Sequence, residues 1–459
     1  MDGVVEGHIS PVDAFTLTLE KDPVLRATIV AVATFDRSPD WDLLVDRVER
    51  ATRLVPRFRE KLIRPPFGLA PPRWVVDADF DLSLHLRRVR LPEDAGFDAV
   101  IELARAAGAD AFDHDRPLWE FTLVEGIDGA GASLVMKLHH ALTDGVGGIE
   151  IAAHVVDLSE EPADLGPMPP APAAREHGAV ETTIDTTRFH VRRGIDALSG
   201  LAGVADRNLR RIARDPFGAV GEGIDTAAAI ARFVRPVTSS DSHVLTGRRP
   251  LRRPAVLDVP LVPLRDAAHS ADARLNDAFL AAVAGGMRRY HELHCAPVER
   301  LRVSMPVNVR TELDAPGGNR VTVERFELPV SIEDPGPRMR RIASTCRALR
   351  RDPAIAYADQ VAAVLNLLPV EVTSAMLRNV DLLTSNVPGF PDQVWVGGAA
   401  LESFHVFGAT LGSAANVTLM SYRDTCHIGI NVDVGAVRDP ERFRECLAEG
   451  FDEVLTLAD

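Results

Sequence analysis

Apolar and polar positions along this chain switch repeatedly between a period of two and a period near 3.6, and the switches mark out its elements. Ala27 to Phe35 (ATIVAVATF) is a run of β-branched and small apolar residues, the pattern of a buried strand. Trp41 to Val55 changes to a helical period, with Leu43, Leu44, Val48 and Ala51 on one face, and Pro56 ends it. Arg73 to Val76 predicts a strand, Phe97 to Ala109 a helix and Trp119 to Val124 a further strand. In SLVMKLHHALTDGVGGI (133–149), Leu134, Val135, Met136 and Leu138 predict a short buried strand with two histidines at its end. Gly145, Gly147 and Gly148 then predict a turn that runs into a helix from about Ile149 to Val156.

Between Glu160 and Ala174 both periods stop. Pro162, Pro167, Pro169, Pro170 and Pro172 lie among acidic and small residues, which is the composition of a linker. Thr187 to Val234 returns to helical patterning, setting Phe189, Ile195, Leu198, Leu201, Val204, Leu209 and Ile212 against a row of arginines. Such a basic amphipathic helix either lies in a membrane interface or packs on the protein with a solvated arginine face. From Ala255 onward, strands are predicted at 255–262, 301–307, 321–330, 381–385, 403–407, 417–422 and 427–432, and helices at 276–291, 338–349, 360–377 and 441–457. The two halves are alike in content. The expected organisation is therefore an α/β fold of two comparable domains, 1–158 and 249–459, joined by a proline-led helical connector over 159–248, with ligand bound where they meet.

Composition narrows the partners. A chain of 459 residues exceeds one typical core, in keeping with two domains. Its formal net charge of −15 disfavours nucleic acid, because phosphate binding needs a basic surface. Cys295, Cys346, Cys426 and Cys446 have neither metal-site spacing nor the density of a disulfide scaffold, so a reducing cytoplasm is expected. The N-terminal MDGVVEGHISPVDAF carries acidic residues and no basic segment leading into an apolar core, so no signal peptide is expected, and no uninterrupted apolar stretch is long enough to span a bilayer. Any contact with lipid is expected to be peripheral.

The chemistry concentrates at the histidines. An alcohol becomes a good nucleophile when something accepts its proton, and imidazole titrates close to neutrality. His140 at a strand end could serve as that base, with Asp144 four residues on to stiffen the turn. The plainer alternative is a histidine pair that caps a strand, since adjacent strand residues face opposite ways and cannot both enter one site. A metal at this spot is disfavoured, because HHxxxD lacks the helical spacing of a zinc protease and no cysteine lies near. In ARLNDAF (273–279), Asn276 and Asp277 are good helix caps, and an asparagine amide is also a suitable donor to an oxyanion.

His139, His140, Asp144 and Gly145 spell HHxxxDG, which resembles the active-site motif of the bacterial wax ester synthase/diacylglycerol acyltransferase family. The resemblance extends in order along the chain: Ser10-Pro11-Val12-Asp13, Pro117-Leu118-Trp119, Asn276-Asp277, Pro306 to Arg310, Gly318-Asn319-Arg320, Ser385 to Gly389 and Ser421 to Ile430. It implies a pair of chloramphenicol-acetyltransferase-like α/β domains, each a mixed sheet with flanking helices. It implies His140 as the base, His139 in an orienting role, Asp144 holding the turn and Asn276 at the oxyanion, with Gly145, Asp277 and Arg310 in support. Arg310 would pair with a carboxylate across the junction or bind a phosphate of coenzyme A. Asn386 and Pro388 would form a loop near the acyl-donor entrance, while Pro117 to Trp119 and Ser421-Tyr422 are read as structural. The implied reaction takes long-chain acyl-CoA as co-substrate, with no resident cofactor or metal, and esterifies diacylglycerol or a fatty alcohol, from a membrane or lipid-droplet surface if at one. An acyltransferase with another alcohol or amine acceptor, and an idle acyl-CoA- or lipid-binding protein, are the alternatives.

Overall fold

A computed structural model of the chain describes residues 9–65, 72–92, 94–128, 131–143, 145–174, 240–308, 321–350 and 370–458. In chain order these give helix α1 (Pro11–Leu19), strand β1 (Thr28–Phe35), α2 (Trp41–Leu54), β2 (Glu60–Ile63), β3 (Arg73–Val76), β4 (Leu86–Arg90), α3 (Phe97–Ala109), β5 (Trp119–Ile127), β6 (Gly131–His139) and α4 (Gly145–Ala152). The second half gives β7 (Arg252–Pro260), α5 (Leu261–Ser270), α6 (Leu275–Leu293), β8 (Arg300–Asn308), β9 (Val321–Pro329), α7 (Pro335–Leu349), α8 (Val370–Leu377), β10 (Leu382–Pro388), β11 (Trp395–Val396), β12 (Ala399–Phe407), β13 (Ala415–Tyr422), β14 (Thr425–Asp433) and α9 (Pro440–Leu455).

The strands form two six-stranded sheets, in the orders β11-β12-β1-β6-β5-β4 and β7-β14-β13-β10-β8-β9, and β2 and β3 form a separate pair. Both large sheets are mixed: β4 and β5 run parallel within the first, and β8, β10 and β13 within the second. The expectation of mixed α/β layers therefore holds in each half. Strands β11 and β12 come from the C-terminal half yet complete the first sheet, with β12 pairing β1 from Val30–Phe407 to Phe35–Leu401. The second sheet is built around α6, in which every residue from Ala278 to Ala284 is fully buried. A helix apolar on all sides belongs inside a core.

Two readings are corrected. Asn386 and Pro388 lie in strand β10, paired in parallel with Leu419 and Ser421 of β13, and are not a loop. Helix α4 begins at Gly145 and ends at Ala152, so the glycines form its first turn and do not precede it. The first of them is packed closely: a Cβ on Gly145 would sit 2.7 Å from Val387 Cγ2 on β10.

The proline-rich stretch is held in place. Arg47, Arg50 and Arg53, one helical turn apart on α2, donate to the carbonyls of Ala163, Gly166 and Pro169 at 2.7, 2.5 and 2.8 Å. Arg47 also pairs with buried Asp157 at 2.8 Å. Backbone that makes no ladder bonds thus finds its donors in a row of guanidinium groups. The arginine-rich segment 187–234 lies outside the described residues, as do Asp144, Arg310 and Gly318 to Arg320. Among the described residues, no helix is long and apolar enough to cross a membrane.

Candidate active site

The site starts from the ladder between β1 and β6. Thr28 stands opposite His139, and one step further the His140 N–H donates to the Ala27 carbonyl at 2.9 Å, which continues the pairing beyond the strand. The His139 N–H donates to Leu118 O at 3.1 Å, so the end of β6 is gripped from β1 and β5 together. Pro117 to Trp119 has the structural role expected of it. Trp119 is fully buried, its indole donates to Phe58 O at 2.9 Å, and His85 stacks on it at 4.7 Å.

The two histidines differ sharply. His139 has no exposed surface. Its Nδ1 accepts the Ala141 N–H at 2.9 Å, which places the ring proton on Nε2, and Nε2 lies 2.9 Å from Glu20 Oε1. Phe112 closes over the ring edge at 5.8 Å. Both nitrogens therefore face protein groups and not solvent. His140 is half-buried, and strand alternation turns it away from the face on which His139 is sunk.

Glu20, absent from any motif, ties this arrangement together. It follows α1, whose N-terminus is capped by Ser10: the Ser10 hydroxyl accepts the Asp13 N–H at 3.0 Å and donates to the Asp13 carboxylate at 2.8 Å. Glu20 Oε1 faces His139 and also accepts the Ala27 N–H at 3.4 Å, while Oε2 lies 3.6 Å from His114 Nε2. Burial would raise the Glu20 carboxyl, but the adjoining imidazoles of His139 and His114 override it and hold it below the usual range. Burial, above all, pushes the His114 imidazole down. One carboxylate thus sets the ring of His139 and, through Ala27, the backbone of His140.

On the opposite half, Asn276 occupies the first turn of α6, and its amide donates to Met305 Sδ at 3.6 Å. Asp277 closes a capping box: its Oδ2 accepts the Arg274 N–H at 2.9 Å. The carboxylate is buried against Cys346, whose thiol is pushed up to about 12 by burial and then by Asp277. Asp277 is therefore a helix cap. Met305 lies on β8 and Val387 on its neighbour β10, so Asn276 and Gly145 bear on adjacent strands from opposite halves. Asp144 and Arg310 are outside the described residues. Nothing in the sequence singles out Glu20 or His114; a glutamate one residue past a helix reads only as a helix end.

Residues 9–279 match the model of the wax ester synthase/diacylglycerol acyltransferase catalytic domain, and residues 317–454 match the C-terminal domain of the same family. The chain belongs to the wax ester synthase/diacylglycerol acyltransferase family. A Mycobacterium tuberculosis protein named as a diacylglycerol O-acyltransferase is 35% identical over 98% of this chain and 92% of its own length. A second from that organism is 27% identical over 98% and 95%. Among solved structures, the wax ester synthase/diacylglycerol acyltransferase of Marinobacter aquaeolei VT8 superposes with a TM-score of 0.63 at 21% identity, covering 98% of this chain and 99% of the other. The starter condensation domain of rhizomide synthetase, solved with C8-CoA, superposes with a TM-score of 0.64 at 13% identity over 99% and 94%. These likenesses establish the two-domain fold, and family membership makes the chain an acyltransferase.

Proposed function

We propose that this acyltransferase transfers the acyl group of a long-chain acyl-CoA directly to the hydroxyl of diacylglycerol, with a long-chain fatty alcohol as a second acceptor. His140 takes the hydroxyl proton as the oxygen attacks the thioester carbonyl. The amide of Asn276 donates to the oxyanion that forms. The C–S bond then breaks, the proton on His140 passes to the departing thiolate, and ester and CoA leave. Neither an acyl-enzyme nor a resident cofactor takes part.

One observation carries the assignment of the base. His139 is fully buried, with Nδ1 bonded to the Ala141 N–H and Nε2 facing Glu20 at 2.9 Å inside the protein, so an acceptor cannot reach it. The reaction needs a base, and of the adjacent pair only His140 can meet substrate. The acceptor follows from the names of the mycobacterial relatives. Diacylglycerol resides in membranes, so the enzyme works at a membrane or lipid-droplet surface reached from the cytoplasm. All four cysteines are free thiols, in keeping with that compartment. Flotation with liposomes of anionic phospholipid and diacylglycerol checks the surface: the protein should float with them and stay behind without them.

The substrate reading is tested with the purified chain, labelled palmitoyl-CoA, and diacylglycerol, hexadecanol or no acceptor. Expected are triacylglycerol and stoichiometric CoA with diacylglycerol, less wax ester with hexadecanol, and neither without acceptor. Binding of palmitoyl-CoA without acceptor-dependent CoA release contradicts the proposal and marks a binding protein; release only with an unrelated alcohol or amine overturns the acceptor.

A further inference from the structure

A second histidine cluster lies where the two sheets touch, far from HHxxxDG in the chain. Asp258 on β7 stands directly opposite His427 on β14, and His405 on β12 approaches them from the other sheet. His405 Nε2 lies 2.9 Å and His427 Nδ1 2.6 Å from the same oxygen, Asp258 Oδ1. The imidazoles are buried, at 3% and 4% exposure, with ring centroids 4.9 Å apart and steeply inclined. The Asp258 side chain is 56% exposed. All three donor atoms fall within 4.8 Å of one another, and no other such trio of histidine, cysteine or carboxylate donors meets among the described residues.

We propose that Asp258, His405 and His427 bind a divalent transition-metal ion of the zinc type and so clasp β12 to the β7–β14 ladder. Two neutral imidazoles and one carboxylate suit Zn²⁺ or Co²⁺, whereas Mg²⁺ and Ca²⁺ ask for oxygen ligands throughout. Metal bonds of about 2.0–2.1 Å set tetrahedral donors roughly 3.3 Å apart. The exposed Asp258 carboxylate can back outward to that spacing, leaving a fourth position to water. Two buried rings from different sheets converge on one exposed carboxylate.

The surroundings also set the strength. His405 Nδ1 and His427 Nε2 are buried and have no hydrogen-bond partner among the described residues. A metal-bound histidine ordinarily donates its other N–H to an acceptor, and lack of that support weakens a site by about 10–100-fold. The ion is therefore exchangeable and structural. It has no part in acyl transfer, which is expected to proceed without it.

The full chain, stripped with chelator and desalted, is titrated with Co²⁺ while visible d–d absorption is followed, and with Zn²⁺ by equilibrium dialysis. One ion per chain is expected, with the absorption of a low-symmetry four-coordinate site and a rise in unfolding temperature that chelator reverses. Asp258→Asn, an isosteric change at an exposed position, and His427→Gln should each weaken binding at least tenfold, while His269→Gln on α5 leaves it unchanged. Absence of binding, or equal binding by wild type and Asp258→Asn, overturns the proposal. Should His427→Gln fail to fold, Asp258→Asn still decides it.

Discussion

The two six-stranded sheets are equal in size but not in independence. Among the described residues, the core around α6 draws on Val244 and residues beyond it. The core behind the histidine strand draws on both ends of the chain: Leu44, Val48, Trp119 and Leu134 pack with Val387, Val396, Leu401, Phe404 and Tyr422. Strand β1 lies between β6, which carries the histidine pair, and β12, which arrives from the C-terminal half. The half that carries the histidine pair is thus completed by the other half. Two halves that look interchangeable by content differ in which could hold together alone, and this couples the site to the whole chain.

The largest effect expected from this asymmetry follows removal of the C-terminal half. Residues 1–174 alone should leave the β1 edge and its apolar face exposed and show no cooperative unfolding transition, while co-expression with 175–459 should recover a soluble complex. A cooperative melt by the isolated fragment would break the comparison.

A sharper probe is the contact between sheets. A Cβ on Gly429 of β14 would lie 2.0 Å from the Val406 carbonyl oxygen of β12, backbone against backbone. Gly429→Ala should therefore cost about 3 kcal/mol in denaturant unfolding. A cost near zero would mean that β12 does not pack there.

At the candidate site, Gly145→Ala places a methyl against Val387. Stability should fall by about 1 kcal/mol, and turnover by roughly tenfold, because the turn carrying the site is displaced. Val387→Ala in the same chain should return most of the turnover. Failure of that second change to help would sever the link between α4 and β10.

The smallest effect concerns Glu20. Its carboxyl is held ionised below the usual value, so its contribution to stability is complete above that value and is lost as pH falls through the depressed one. Glu20→Gln should remove that acid-side dependence in pH-resolved unfolding and lower kcat by roughly tenfold with KM unchanged, since Glu20 positions His139 and does not meet substrate. An unchanged acid limb would deny it this role.

The sequence was most informative where one local rule acted alone. Phe97–Ala109 and Arg73–Val76 were legible from periodicity to the residue, and Pro162 to Pro172 as a segment without regular structure. Ordered motifs brought His139, His140, Gly145 and Asn276 to notice. Tertiary partners stayed invisible. Whether Asn386 sits in a strand depends on β13, which is remote in sequence, and the close packing of Gly145 is invisible because its neighbour, Val387, lies in the other half. Asp258, His405 and His427 share no spacing that a motif could carry. Asp277 fared differently: the cap that the sequence offered as its plain reading is what the structure contains.

The central claim is that the adjacent histidines divide their labour, one held inside and the other at work. It is tested by steady-state acyl transfer from palmitoyl-CoA to diacylglycerol in His140→Ala and His139→Gln, with circular dichroism and unfolding measured on the same samples. His140→Ala should keep wild-type stability and lose about 10²–10⁴ in kcat, whereas His139→Gln should lose stability and retain part of its turnover. A folded His140→Ala enzyme with near wild-type kcat would contradict the account.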